Sequence, residues 1–184
     1  TKAEPEAGTA AVTLSDRFDS MGLLQGQKLM LIDLDRCTRC DECVRACATT
    51  HSDGRTRLLR EGPKFGRFLV PASCRQCLDP VCMIGCPVGS IHKGDRGEIR
   101  IEDWCIGCQI CAKQCPYNAI MMYELPPAAG AGGELETAEQ AVVCDQCASL
   151  KDGEPSCVYA CPHDAAQRVD ARTFFGGHVA GTTL

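Results

Sequence analysis

Sixteen cysteines dominate this 184-residue chain, and their spacing repeats. They stand at Cys37, Cys40, Cys43 and Cys47; at Cys74, Cys77, Cys82 and Cys86; at Cys105, Cys108, Cys111 and Cys115; and at Cys144, Cys147, Cys157 and Cys161. The first and third groups read C-x2-C-x2-C-x3-C, the second C-x2-C-x4-C-x3-C and the fourth C-x2-C-x9-C-x3-C. Four thiolates at such spacing suit a 4Fe-4S cube, which offers one open coordination position on each of four irons. Tight turns let one stretch supply three of them. The closing cysteine is carried off by the next turn of chain. In the last three groups it precedes Pro87, Pro116 or Pro162, which fixes φ and removes a backbone donor, whereas Ala48 follows Cys47. Each closing cysteine therefore points at a neighbouring cluster, and clusters should come in pairs.

Other uses of cysteine fit less well. Disulfides require an oxidising compartment and give no reason for four near-copies of one pattern. Structural zinc takes two separated C-x2-C pairs per ion, so the third close thiolate of each group is surplus to it. The run is instead that of bacterial ferredoxins, in which three thiolates hold one 4Fe-4S cluster and the fourth reaches its partner.

The rest of the composition agrees with a metal-held fold. The chain is 45% hydrophobic with cysteine counted and only 5% aromatic, a lean core for its length. Four clusters at about -2 each would add about -8 to the net charge of -5, so the fold must tolerate roughly -13. One stretch, 51–67, is locally basic, with Arg55, Arg57, Arg60, Lys64 and Arg67 against Asp53 and Glu61. It reads as a docking surface for an acidic partner, as screening for a nearby cluster, or as a solvated loop. An acidic chain without interleaved aromatics is not built for nucleic acid. No run of eighteen apolar residues is present to span a membrane. Gly130-Ala131-Gly132-Gly133 lacks the strand-turn-helix setting of a dinucleotide site and reads as a loop. The histidines His51, His92, His163 and His178 share no ligand spacing. Trp104, Ile106, Ile110, Ile120 and Val88 flank cysteines and are candidates for apolar cover or for core. Phe174 and Phe175 read as core or as an anchor on a partner.

The elements that must position the cysteines are short. Lys28 to Asp35 reads as a strand running into Cys37, Glu98 to Asp103 as another before Cys105, and Ala141 to Val143 as a third before Cys144. SIHKGDRGEIRI reads as a hairpin about Gly-Asp-Arg-Gly. A strand before each cysteine group and a short helix or strand after it predict an α+β fold, a duplicated ferredoxin-like architecture of small β-hairpins and short helices around four 4Fe-4S clusters. The gap from Cys86 to Cys105, 18 residues, is shorter than the 26 and 28 residues on either side, which makes the middle groups an inner pair. Cys74, Cys77 and Cys82 would hold one cluster with Cys115, and Cys105, Cys108 and Cys111 another with Cys86. The outer groups are left to each other: Cys37, Cys40 and Cys43 with Cys161, and Cys144, Cys147 and Cys157 with Cys47. The expected organisation is a linker or docking arm at 1–27, one four-cluster domain at 28–170 and a tail at 171–184. Within that domain the inner pair spans 71–125, and 28–50 joins 141–170 as the outer pair.

CTRCDECVRAC, LVPASCRQCLDPVCMIGCPVGSI, WCIGCQICAKQCPYNAI and VCDQC followed by EPSCVYACPHDA resemble the four-cluster iron-sulfur subunits of the dimethyl sulfoxide reductase class of molybdopterin enzymes. The same module serves formate dehydrogenases, tungsten-dependent aldehyde oxidoreductases and hydrogenases. The resemblance covers 28–170 and implies the same inner and outer pairing. It also implies four cubane clusters, because all four cysteines of the third group are present. The expected function is that of an electron-transfer subunit, not a catalytic chain by itself. It would relay single electrons between a catalytic molybdenum or tungsten pterin subunit, or else a hydrogenase, and a second redox partner. A cluster-based enzyme or a redox sensor are the alternatives; the former normally leaves an iron without a cysteine. The expected location is cytoplasmic, or exported with a signal-bearing partner.

Overall fold

Leu29, Met30, Leu31 and Ile32 are consecutive apolar residues, a pattern that suits a strand covered on both faces. They form the centre of β1 (Lys28–Asp33). In the computed structural model, which describes residues 26–125, 139–148, 150, 154–171 and 173–174, Leu29 and Leu31 face a core of Phe65, Phe68, Val70 and Ala171. Met30 and Ile32 face the opposite way, onto Leu58, Leu69, Ala166 and the thiols of Cys47 and Cys157. One face of this strand therefore rests on ordinary apolar packing and the other on cysteine.

β1 is an inner strand of a four-stranded antiparallel sheet with β2 (Lys64–Phe65), β3 (Phe68–Leu69) and β8 (Ala166–Asp170), in the order β2-β3-β1-β8. Lys28 stands opposite Asp170 and Ile32 opposite Ala166, so the two ends of the cysteine-bearing region lie side by side. Phe174 closes the apolar face edge-on to Phe68, with ring centroids 5.6 Å apart. The expected hairpin is β4 (Ile91–Lys93) against β5 (Ile99–Ile101), with Gly94 and Gly97 in its turn. A second pair joins β6 (Ile120–Glu124) to β7 (Glu139–Val143), Ile120 opposite Val143. Ile91, Ile99, Ile120, Ala141 and Val143 form a further core together with Cys74, Cys111 and Cys144.

The helices are short: α1 (Glu42–Thr50), α2 (Ile110–Gln114), α3 (Ser156–Tyr159) and a 3-10 turn at Val81–Met83. The architecture is α+β, with small antiparallel sheets. A strand follows each of the last three groups, β4, β6 and β8 in turn, while the helical turns lie inside the groups and carry the third cysteine of each: Cys43, Cys82, Cys111 and Cys157. Among the described residues no helix is long and apolar enough to cross a membrane. Gly130–Gly133, Phe175 and His178 lie outside the described residues, as do 1–25 of the expected arm and most of the expected tail; Gly26 bridges to Cys77.

Gly107, between Cys105 and Cys108, has φ +68°, and a Cβ there would meet the carbonyl of Glu139 at the start of β7. Gly107→Ala should therefore cost more than the left-handed conformation alone, about 1–2 kcal/mol. Gly54, with φ +66° and open space where a Cβ would go, is the control. Thermal unfolding of cluster-loaded protein should show Gly107→Ala losing clearly more stability than Gly54→Ala; equal losses would contradict the packing described.

Candidate metal centres

Each C-x2-C turn is closed by a residue in the left-handed region just before the second cysteine: Arg39 (φ 62°), Gln76 (53°), Gly107 (68°) and Gln146 (58°). The left-handed residue bends the chain so that two cysteines three positions apart face a common space. After the closing cysteine a second device repeats. Gly89, Asn118 and Asp164 each stand three residues on, with φ of 64°, 49° and 49°, and each donates its amide to the carbonyl of the cysteine, at 3.4, 3.3 and 3.3 Å. Gly, Asn and Asp are the residues that tolerate this conformation most readily. The C-P-x-[G/N/D] signal was therefore present in the sequence, though the cysteine spacing alone does not reveal it.

The turns gather the cysteines across groups. Cys37, Cys40 and Cys43 line one cavity with Cys161, joined by Arg60 and His163. Cys74, Cys77 and Cys82 line another, of 110 Å³, with Cys115, Arg75 and Tyr117. Cys105, Cys108 and Cys111 line a third with Cys86, Ser90 and Gln109. The four cysteines left over are Cys144, Cys147, Cys157 and Cys47, and the charges of the other three act on the Cys157 thiol, as that of Cys144 acts on Cys74. Cys47 and Cys157 also share a core face, where α1 packs on α3. No three His, Cys, Asp or Glu side chains among the described residues converge on a single ion. Ligands of four separate irons stand farther apart than ligands of one ion, so the sets suit a cube better than zinc.

Protein donors already address the sulfurs. Arg57 N donates to Cys47 Sγ at 3.1 Å, Ala119 N to Cys115 Sγ at 3.4 Å and Ala165 N to Cys161 Sγ at 3.3 Å. Arg168 Nη2 donates to Cys144 Sγ at 2.8 Å. Without a bound cation several other buried thiols resist ionisation: burial pushes Cys82 and Cys111 up to about 11 and Cys157 to about 12, and raises Cys74 further. Cys86 goes the other way, to about 7, because the Ser90 hydroxyl bonds its sulfur at 3.5 Å.

Two family patterns match. A 4Fe-4S dicluster domain covers residues 104–165, and a 4Fe-4S binding domain covers 34–50. The chain is 35% identical over 150 residues to an iron-sulfur protein of Rhodospirillum rubrum, covering 74% of this chain and 78% of that one. The chain belongs to the 4Fe-4S ferredoxin-type iron-sulfur proteins. It is also 32% identical over 156 residues to the electron transport protein HydN of Escherichia coli (strain K12), covering 78% of this chain and 88% of that one. Hydrogenase-4 component A of the same organism is 31% identical over 163 residues, with 72% and 78% covered. The function of this iron-sulfur protein is electron transfer.

The side chains around the sets fit 4Fe-4S clusters. Among the described residues, Arg60 Nε, Arg75 Nε and Nη1, Gln146 Nε2 and Arg168 Nε are shielded from solvent and lack an acceptor in the protein. Arg60 and Arg75 line cysteine cavities, Gln146 sits between Cys144 and Cys147, and Arg168 touches Cys144. Orphaned buried donors are costly, and the sulfides and thiolates of an anionic cluster are acceptors of the right charge.

Other candidates from the sequence resolve individually. His51 bonds the Cys47 carbonyl through Nδ1 at 2.6 Å and faces Asp145, and His92 faces Glu102. Ile120 is buried; Trp104 and Ile106 are more than half exposed, though Ile106 and Val88 line the Cys105 cavity. Much of the basic stretch 51–67 is internally occupied. Arg57 pairs with Asp53, Arg60 with Asp41 and Arg67 with Asp33, while Arg55 lies over the Tyr123 ring.

Thiolate, not thiol, is the nucleophile. At pH 7 a cysteine with a pKa of about 7 is about half thiolate, whereas one at the ordinary value of 9.0 is about a hundredth thiolate. In the iron-free chain Cys86 should be the first cysteine alkylated by iodoacetamide, as read by peptide mass spectrometry. Ser90→Ala should slow that reaction about tenfold, and an unchanged rate would remove the hydroxyl as the cause.

Proposed function

We propose that this protein is the relay subunit of an oxidoreductase complex, holding four 4Fe-4S clusters in one nested unit over residues 28–170. In this reading 71–125 carries an inner cluster pair, and 28–50 with 141–170 carries an outer one, a duplicated ferredoxin arrangement. The observation that carries it is the composition of the four sets, each of three cysteines from one group and the closing cysteine of another. The division uses all sixteen cysteines and leaves no set short of a thiol, which favours electron relay over a cluster used as a catalyst. A 4Fe-4S cluster, when bound, accepts and releases electrons singly.

The chain's own connections give the order. α1 carries Cys43 and Cys47, one for each outer set, and α3 with the turn beyond it carries Cys157 and Cys161. Cys82 with Cys86, and Cys111 with Cys115, do the same for the inner sets. Between the pairs, Gln76 donates to the Cys144 carbonyl at 3.1 Å and accepts from Ile99 N at 2.9 Å. The resulting order is the Cys37 set, the Cys144 set, the Cys74 set and the Cys105 set. Cys40 and Cys108, the two exposed cysteines, belong to its two ends, where partners can approach. One partner would be a catalytic molybdenum or tungsten pterin subunit, supported by the motif resemblance, and the other a second redox protein. The likeness to hydrogenase-4 component A favours a hydrogenase complex as the second reading.

Protein loaded anaerobically should contain about sixteen irons per chain. Cys47→Ala should remove the same paramagnetic signal as Cys144→Ala, and Cys161→Ala the same signal as Cys37→Ala, in redox titrations followed by electron paramagnetic resonance. Cys47→Ala matching Cys37→Ala instead would overturn the exchanged pairing, and colourless protein would overturn the cluster reading itself.

A further inference from the structure

Arg168 sits where the two cluster pairs meet. It lies on β8 opposite Met30 of β1, and Ala166, two residues before it, faces the core that contains Cys47 and Cys157. Alternation along a strand puts Arg168 on that same face, toward the cysteines. Its guanidinium makes two contacts that no other side chain combines among those described: Nη2 donates to Cys144 Sγ at 2.8 Å, and Nη1 donates to the Cys74 carbonyl at 3.3 Å. Cys144 is the first ligand of one middle set and Cys74 the first of the other. The remaining donor, Nε, is shielded from solvent and has no acceptor in the protein.

We propose that Arg168 is the positioning residue of the relay's central junction, and that its fixed charge raises the reduction potentials of the two middle clusters. The proposal rests on the four-cluster reading above. Reduction adds one negative charge to a cluster, and a cation hydrogen-bonded to one of its thiolates stabilises the reduced form more than the oxidised one. Cys74 and Cys144 are buried and Arg168 is partly buried, so the charge is screened less than it would be on an open surface. The effect falls most on the Cys144 set, which receives the hydrogen bond on sulfur, and less on the Cys74 set, which is reached through a backbone carbonyl. The Cys105 cavity has no Lys or Arg among its lining residues. The Cys37 cavity is lined by Arg39 and Arg60 but also by Asp41 and Glu42, and Arg60 shares its charge with Asp41 at 2.5 Å. The middle of the relay is thereby made the place where an electron rests between partners.

The test compares Arg168→Met, Arg168→Gln and Arg168→Lys with the parent as cluster-loaded full chains. Iron content and visible absorbance report on the cluster reading, and redox titration followed by paramagnetic resonance reports on Arg168. With iron unchanged, the neutral variants should make reduction of one cluster at least tenfold less favourable, about 59 mV for one electron. A second cluster should shift less and two not at all, and Arg168→Lys should retain most of the parent potentials. Unchanged potentials in either fully loaded neutral variant would overturn the proposal. So would equal shifts in all four clusters, or loss of iron in both neutral variants with Arg168→Lys intact, which would leave Arg168 a role in assembly alone. Loss of iron from the parent as well would instead count against four clusters.

Discussion

The constraint on which the structure depends is that sixteen thiols must be held apart in four sets without the chain closing on itself. Burial without a metal favours the protonated thiol at Cys82, Cys111 and Cys157. Metal binding needs the thiolate, so folding and cluster loading are linked processes. The apolar cores are small and include cysteines as members: Cys74, Cys111 and Cys144 in one, Cys47 and Cys157 in another. Among the described residues, the face of β1 built on Phe65, Phe68 and Val70 is the apolar core that contains no cysteine. That face gives the chain a scaffold independent of metal, and the opposite face of the same strand looks onto the cysteines.

Sharing of helical turns converts this constraint into function. A helix that offers Cys43 to one set and Cys47 to the next fixes the distance between those sets by its own rise. The pairs Cys82 with Cys86, Cys111 with Cys115 and Cys157 with Cys161 keep the same sequence separation, with the second cysteine just beyond the helical turn. Electron transfer between neighbours requires short, invariant separations, and an element of one or two turns provides them without a large core. The short sheets then orient these turns: β1 with β8 joins the outer groups, and β6 with β7 ties the third group to the fourth.

Much of this was legible in the residues. The cysteine groups, the strand before Cys37, the hairpin at 91–101 and the α+β class follow from spacing and alternation, because ligand geometry and strand period act locally. Three cavities each hold three cysteines of one group beside the closing cysteine of another. The helical turns inside the groups were not legible, because runs of four or five residues such as Ile110–Gln114 and Ser156–Tyr159 carry no helical period. The arginines Arg75 and Arg168 were invisible for a different reason, whereas Arg60 belongs to the stretch that also read as screening for a nearby cluster. Nothing in the spacing of Arg168 from Cys144 indicates contact; only the pairing of β8 with β1 brings them together. The basic stretch 51–67 was equally ambiguous, since its ion pairs with Asp33 and Asp41 depend on strands folding beside it.

The first group is the exception that shows what the repeated device does. Cys86, Cys115 and Cys161 are each followed by proline and then by a left-handed residue. Cys115 and Cys161 accept an amide from the residue four positions on, and Cys86 bonds the hydroxyl of the residue at the same offset. Cys47 lacks the proline, and α1 continues beyond it to Thr50. The donors near it arrive from elsewhere: His51 on its carbonyl, and the amide of Arg57, ten residues away, on its sulfur. The loop that brings Arg57 back is held by its pairing with Asp53 and by Arg55 reaching the Glu124 carbonyl at 2.9 Å. Against its burial, these bonds leave Cys47 below its ordinary pKa. Sulfur solvation is thus supplied at all four closing cysteines, by local turn chemistry at three and by tertiary contact at one. The cost of the substitution at Ala48 is that the Cys47 site depends on a longer loop. Its benefit is a nine-residue helix that can pack along α3 and fasten the N-terminal quarter to the C-terminal one.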